Sequence, residues 1–504
     1  MNLKLFKAKS ILTMDETQPR ATHVAVQDGR IVAVGDSTCA DHLGEISDIC
    51  DFGEAVLMPG MVEGHAHIMA GSMWGFCYCG YHDRIDPKGN LHKGMTDIDA
   101  VVARLQAYEA QLPEGAPLIG WGFDPIFLTT ERLNKAHLDQ VSTTRPIAIL
   151  FSNFHLLCAN SNALDLAGYG RDTQVEGVVK GDDGTPTGEL QEMAAMFPVM
   201  RRVGIDFRAL SNPDVALHSF GQVCLRAGVT TCTDLFASLD EADAAKLAQA
   251  TAQSDFPARL VPALGAVGAT PADIATNAQA LQAHSTDKLR LGAVKIMTDG
   301  SIQGWTARVR SPGYIGNEPN GIWNTPPEQI FELCEEMQAR KIQMHIHVNG
   351  DEAAEVSLDA LEAAAKKNPW PDARHVLQHC QMMDADLMQR AADLGVACNI
   401  FSNHMWYFGD QHVARTIGPE RAAAMNAART ALDKGVRTAI HSDAPVTPMG
   451  PLFTAWCATN RKTMSGQTLG PDEQITVDEA LFAITMGAAE TLKMETDVGS
   501  ITPG

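Results

Sequence analysis

Short β-rich runs alternate around a turn near the start of the chain, where His23-Val24-Ala25-Val26 and Arg30-Ile31-Val32-Ala33-Val34 flank Asp28-Gly29. A two-residue loop of that type accepts the positive φ values of a tight hairpin, so residues 3–35 read as a small sheet. From about residue 220 the pattern changes to short apolar runs separated by Ala-rich stretches with one apolar side. The runs begin at Gly228, Arg259, Leu291, Ile342, His375, Val396 and Val436. With Val56-Leu57-Met58 ahead of them they number about eight. Strands alternating with helices of ten or more residues predict repeated βα units, and eight such strands close a parallel barrel. Residues 70–215, rich in Gly, Pro, Asn and aromatics, are too long for one βα connection and read as an inserted substructure over the barrel mouth. The expected fold is α/β: a distorted (β/α)8 TIM barrel with a small N-terminal β-sandwich-like module and a large insertion after the first barrel strand. The expected units are a β module over 1–58, a barrel over 59–490 and a return toward the module over 491–504.

Composition narrows the class. A chain of 504 residues with 45% apolar and 20% charged residues buries a large core and excludes disorder for its bulk. Sixty-one Asp and Glu against 39 Lys and Arg give a formal net charge of -22. That balance repels phosphate backbones and anionic lipid, so neither nucleic acid nor a membrane surface is an expected partner. No apolar run approaches the roughly 20 residues of a spanning helix. Eleven cysteines, an odd number spread from Cys39 to Cys457, form no disulfide framework, and no secretory leader opens the chain. The expected home is a reducing cytoplasm. The Cys77-Tyr78-Cys79 pair has no matching pair nearby and reads as packing.

The candidate chemistry lies at strand ends. In Gly64-His65-Ala66-His67 the period of two turns both imidazoles to one side, an arrangement that suits a borderline divalent metal or an ordinary hydrogen-bonded pair. His347, His379 and Asp443 end later predicted strands, and active sites of barrels are assembled at those C-terminal ends. Lys295 sits inside a strand, where a cation is costly unless it is paired or altered. Two readings stand: a lysine carbamylated by carbon dioxide that bridges two metals, or one that snorkels or pairs with Asp299. His345 and His441 each precede a candidate ligand by two residues and should point into the barrel one layer below. They read as a buried polar pair or as a network that orients the ligands, and His345 competes with His347 on spacing alone.

Taken in order, these motifs resemble the metal-dependent amidohydrolase superfamily, in its YtcJ-like branch (amidohydrolase family 3), over nearly the whole chain. The likeness is carried by Pro59-Gly60 leading to His65-Ala66-His67, Gly120-Trp121-Gly122-Phe123-Asp124, Ala159-Asn160-Ser161-Asn162-Ala163-Leu164, Lys295-Ile-Met-Thr-Asp-Gly-Ser301, His347-Val-Asn-Gly-Asp351, Gln378-His379-Cys380-Gln381, Ser442-Asp443 and the closing Val498–Gly504 segment. The resemblance implies two Zn2+ ions or similar metals. His65, His67 and Asp443 would hold one, His347 and His379 the other, and carbamylated Lys295 would bridge. It favours His347 over His345. Metal-activated hydroxide would attack a carbonyl or amidine carbon, with Asp443 as ligand and general base and His155 stabilising the oxyanion. Members of this branch usually continue with strands that complete the N-terminal module, so the expectation is either a protein longer than this sequence or a module that is incomplete and more weakly held.

Trp74, Trp121, Asp124 and Trp406 are candidate substrate contacts, and Arg308 a candidate partner for a substrate carboxylate or one half of a solvated pair. The aromatics suggest a partly apolar or aromatic small molecule, or else a satellite core beneath the insertion. The expected function is hydrolysis of a non-peptide C–N bond in an amide, N-formyl or N-acyl compound. The alternatives are a deaminase of a heterocyclic amine, which Lys295 disfavours, and a noncatalytic binding protein. A homodimer is compatible with such a barrel.

Overall fold

The computed structural model describes residues 3–128, 131–211 and 213–504. Eight parallel strands follow one another in sequence order around one curled sheet: Met61–Glu63, Val229–Ala237, Arg259–Gly265, Ala293–Met297, Met344–Val348, Val376–His379, Ala397–Ile400 and Thr438–Ile440. Alternation along each strand sorts the side chains. Val294, Ile296, Ile346, Val348 and Leu377 join the main apolar core with the surrounding helices. Lys295, His345, His347 and Gln378 take the opposite phase. Register places Lys295 beside His345 and Met297 beside His347, so neighbouring strands bring their polar residues to one level.

The first and last strands meet just beyond their ends. Ala66 bridges Ala444, the His67 N–H donates to the Ala444 carbonyl at 2.9 Å, and the Asp443 N–H to the His65 carbonyl at 3.2 Å. Glu63 reinforces this seam: its carboxylate accepts from the Ser442 hydroxyl at 2.7 Å and from the Ser442 N–H at 3.2 Å.

One strand expectation is corrected. Val56–Leu57 pairs in parallel with Leu3–Leu12 in the N-terminal sheet, and Met61–Glu63 is the first strand of the curled sheet. Val56 is exposed, as an edge position allows and a barrel interior does not. The N-terminal sheet runs Arg30–Gly35, Arg20–Gln27, Leu3–Leu12, Asp48–Asp51. Its hairpin turns at Asp28 and Gly29, with φ of 51° and 84°, the sign that a two-residue turn requires. The last residues return to it, the Ile501 N–H donating to Thr13 and the Gly504 N–H to Ile31.

Between the first two strands of the curled sheet the chain builds a six-stranded sheet ordered Val178–Lys180, Pro186–Gln191, Leu156–Ala159, Ile147–Phe151, Leu118–Phe123, Cys77–Tyr78. Ile147–Phe151 is buried throughout, because apolar clusters cover both of its faces. The turn after this strand and the helix Glu192–Val203 reach the mouth of the curled sheet.

A buried histidine cluster and its cavity

Residues within, at the end of or just after five of the strands share one cavity of about 110 Å³, lined by His65, His67, Lys295, His347, His379 and Asp443. His65, Lys295, His347, His379 and Asp443 are buried, and His67 is partly open. Asp443 Oδ1 lies 3.4 Å from His65 Nε2 and 3.5 Å from His67 Nε2, and its Oδ2 lies 3.6 Å from His379 Nδ1. His379 and His347 meet edge to face at 4.5 Å. His379 and Asp443 adopt positive φ of 71° and 55°. Such a conformation costs a non-glycine residue on the order of 1–3 kcal/mol and persists only where surrounding structure imposes it.

Three of the imidazoles are held neutral. Burial drives His65, His347 and His379 well below the ordinary histidine range, and nearby cationic groups add to the effect. A neutral ring is the form that ligates metal. Gln378 sets how His65 presents itself: its carbonyl oxygen accepts from His65 Nδ1 at 2.8 Å and from Asn399 at 3.0 Å, while its amide nitrogen donates to His345 Nδ1 at 2.9 Å. His65 therefore carries its proton on Nδ1 and offers the Nε2 lone pair toward Asp443. His345 is bound into the same chain of hydrogen bonds, one level below.

Lys295 does not pair with Asp299. The Asp299 carboxylate is occupied by the N–H groups of Arg308, Asn349 and Gly350 at 2.9–3.2 Å and lies 3.4 Å from His347 Nε2. Lys295 Nζ, 1% exposed as a residue, has no hydrogen-bond partner, and burial pulls it down to about 7. His379 Nδ1 and Asp443 Oδ1 are likewise buried without a hydrogen bond. Leaving such atoms unsatisfied costs roughly 1–3 kcal/mol each, more for charged groups. Convergent orphan atoms of nitrogen and oxygen ligand types fit a bound divalent metal, and His65, His67 and Asp443 bring one ligand atom apiece within 4.8 Å of one another.

His155 reaches the cavity from the turn after Ile147–Phe151, its ring 5.1 Å from that of His347. Burial lowers its pKa, but the Glu192 carboxylate at 2.8 Å from Nδ1, together with Asp299 and Asp443, outweighs burial and leaves it raised. Glu192 also accepts from Asn324 at 2.6 Å and holds φ of 63°. Asp234 also lines the cavity, 4.0 Å from His67 Nδ1; neither it nor Glu192 stands in a sequence spacing that distinguishes it from other polar residues, and Gln378 is visible there only as part of the Gln378–Gln381 motif.

The proposed substrate contacts lie elsewhere. Trp121 is 1% exposed and packs against Trp74 and Tyr78, while Trp74 also contacts His92. Asp124 is buried under hydrogen bonds from the Ser152 hydroxyl and the Ile126 N–H. Arg308 is engaged by Glu352 at 2.9 Å and the Gly321 carbonyl at 2.8 Å. Trp406 meets Tyr407 and Phe453 edge to face. The cavity wall is instead Met69, Phe154, Phe207, Phe236, Met297 and Val446.

A curled sheet of eight parallel strands, consistent with a (β/α) barrel, that gathers buried histidines, a carboxylate and a lysine into one cavity is the arrangement of a metal-dependent hydrolase. The chain belongs to the amidohydrolase family, whose model matches residues 48–504. It is 28% identical over 516 residues to YtcJ of Bacillus subtilis (strain 168), named as an amidohydrolase, with 98% of this chain and 91% of that protein covered. It is 26% identical over 507 residues to the N-substituted formamide deformylase of Arthrobacter pascens, covering 98% and 90%. Among solved structures it resembles a metal-dependent hydrolase of Pyrococcus horikoshii OT3, with a TM-score of 0.73, 18% identity and 100% and 95% coverage. Among the described residues no helix is long and apolar enough to cross a membrane.

Proposed function

We propose that this enzyme hydrolyses the C–N bond of a small N-formyl, N-acyl or amide compound with a partly apolar substituent. His65, His67 and Asp443 would hold one divalent ion, His347 and His379 a second, and a carbamylated Lys295 would bridge them. Zn2+ suits that mixture of imidazole and carboxylate. When bound, the metals supply Lewis acidity and lower the pKa of water. The carrying observation is the buried, unpartnered Lys295 amine among the candidate ligands. Burial favours its neutral form, which is the form that adds carbon dioxide.

The side chains divide the remaining work. Asp443, whose Oδ1 lies 3.4 Å from His65 Nε2, would take the proton of the attacking water and pass it to the leaving nitrogen. His155, bonded through Nδ1 to Glu192, which raises its pKa against burial, would donate toward the oxygen that gains charge. Phe154, Phe207 and Phe236 receive the apolar substituent and exclude solvent. The relative that deformylates N-substituted formamides supports this substrate class.

The test is metal content per chain in the native protein and in Lys295→Ala, together with release of amine from a panel of N-substituted formamides and N-acyl amines. About two ions in the native protein, a marked loss in the variant and amine release are expected. One ion unaffected by the substitution, with ammonia released only from heterocyclic amines, would overturn the bridged amidase reading in favour of a deaminase. Bound metal without turnover of either class would favour a binding protein.

A further inference from the structure

Three polar side chains at or beneath the cavity differ in how their hydrogen-bonding groups are used. His441 follows the last strand of the curled sheet, stacked on His65 at 4.6 Å and on Phe401 at 4.9 Å, and neither of its buried ring nitrogens has a hydrogen-bond partner. The expectation that it orients a ligand through a hydrogen bond is therefore not met; its stacking makes it part of the packing. Asn153 lines the cavity with both ends occupied. Its carbonyl oxygen accepts from the His155 N–H at 2.9 Å, and its amide nitrogen donates to the Ser301 hydroxyl at 3.0 Å. Asn324 lines the same cavity with one end occupied. Its amide nitrogen donates to the Glu192 carboxylate at 2.6 Å and to the Asp299 carbonyl at 3.0 Å, which uses both hydrogens.

Those two acceptors fix which way the Asn324 amide faces. With its ends exchanged, Oδ1 would meet a carboxylate and a carbonyl with no hydrogen between them. Among the described residues nothing donates to Asn324 Oδ1, and this oxygen is not sealed in protein as Glu192 Oε1 is. The residue is also held in place. Its N–H donates to the Thr298 carbonyl at 2.9 Å, and the Thr325 hydroxyl to that of Met297 at 2.7 Å, so the segment is fastened along the end of the strand that carries Lys295. Met193, Met297 and Asn324 border both the cavity and an adjoining cleft of about 360 Å³. A fixed, unused acceptor thus stands where the two spaces meet.

We propose that Asn324 Oδ1 accepts the N–H of the scissile amide and so selects substrates whose nitrogen keeps a hydrogen: secondary over tertiary amides, and amides over esters. The inference rests on the hydrolase reading above and narrows its substrate class. An amide nitrogen presents a hydrogen, whereas an ester oxygen presents only lone pairs, which Oδ1 would repel. A site built around a hydrogen-bonded N–H rejects an analogue without it, because the acceptor is then left unpaired. His155 and Asn324 are both bonded to Glu192 Oε2, so one carboxylate sets the donor proposed for the amide oxygen and the acceptor proposed for the amide nitrogen.

The test uses N-hexylformamide, its N-methyl derivative and hexyl formate with the native holoenzyme and with Asn324→Ala. The native enzyme should cleave N-hexylformamide at least about tenfold better, in kcat/KM, than the N-methyl derivative, a comparison that needs no variant to fold. In Asn324→Ala the ratio of kcat/KM for N-hexylformamide to that for hexyl formate should fall about 10–100-fold. A role confined to bracing Glu192 would lower both rates together and leave the ratio unchanged. Equal cleavage of the two formamides by the native enzyme, or an unchanged ratio in the variant, would overturn the assignment of Asn324 while leaving the hydrolase reading standing. A native enzyme that cleaves neither formamide would remove that reading, and this one with it.

Discussion

Two cations are buried to the same degree in this molecule and have opposite surroundings. Arg461, 1% exposed, donates from Nε to the Leu469 carbonyl, from Nη1 to that of Asn426, and from Nη2 to those of Ala423 and Met425, all at 2.8–3.0 Å. Lys295, also 1% exposed, donates to nothing. Burial lowers both, Arg461 to about 10 and Lys295 to about 7. Arg461 thus stays charged at neutral pH and ties loops together, whereas Lys295 is poised to lose its charge. Burial by itself does not mark a functional residue; burial without partners does.

The contrast can be broken at three points. Arg461→Ala should have the largest effect, orphaning four carbonyls and lowering stability by roughly 3–5 kcal/mol. Denaturant melts should show the same loss with and without metal; a loss confined to the metal-loaded form would tie Arg461 to the centre. Next comes Gln378→Leu, which frees the proton position of His65. Zinc affinity, read by chelator competition, should fall about 10–100-fold, and unchanged affinity would mean that the tautomer needs no support from Gln378. The smallest effect is expected for Asn160→Ala. Asn160 accepts from the Ile147 and Ala163 N–H groups and donates to the Ser142 and Arg145 carbonyls, capping the helix Ser161–Leu166. Its loss should cost about 1–2 kcal/mol in thermal melts and leave metal content untouched.

The repeated strand and helix periods made the barrel legible in sequence, and the Asp28-Gly29 hairpin was visible because its turn chemistry is local. The first strand was displaced, since Val56-Leu57 and Met61–Glu63 are both short β-prone runs, and only tertiary pairing decides which joins which sheet. The histidines, Lys295 and Asp443 could be picked out because each sits at the end of, or within, a recognisable apolar run. Which aromatics wall the cavity could not. Trp74 and Trp121 turn toward each other inside the inserted sheet, while Phe154, Phe207 and Phe236, unremarkable in sequence, turn toward the site. Side-chain facing within irregular segments is set by long-range packing, and no period encodes it.

The seam between Met61–Glu63 and Thr438–Ile440 bears on how the chain holds its shape. Glu63 and Ser442 stand 379 positions apart and are joined by hydrogen bonds, with one backbone bridge alongside. The entropy needed to bring chain ends together grows with the length between them, so a tie across so long a loop restrains the unfolded chain more than a tie between neighbours. An ion gripped by His65 and His67 on one side and Asp443 on the other would be such a tie. It would act as the clasp of a hoop as well as a reagent. A cell starved of metal would then hold an enzyme with a loosened hoop, open to proteases along the line where its first and last strands meet.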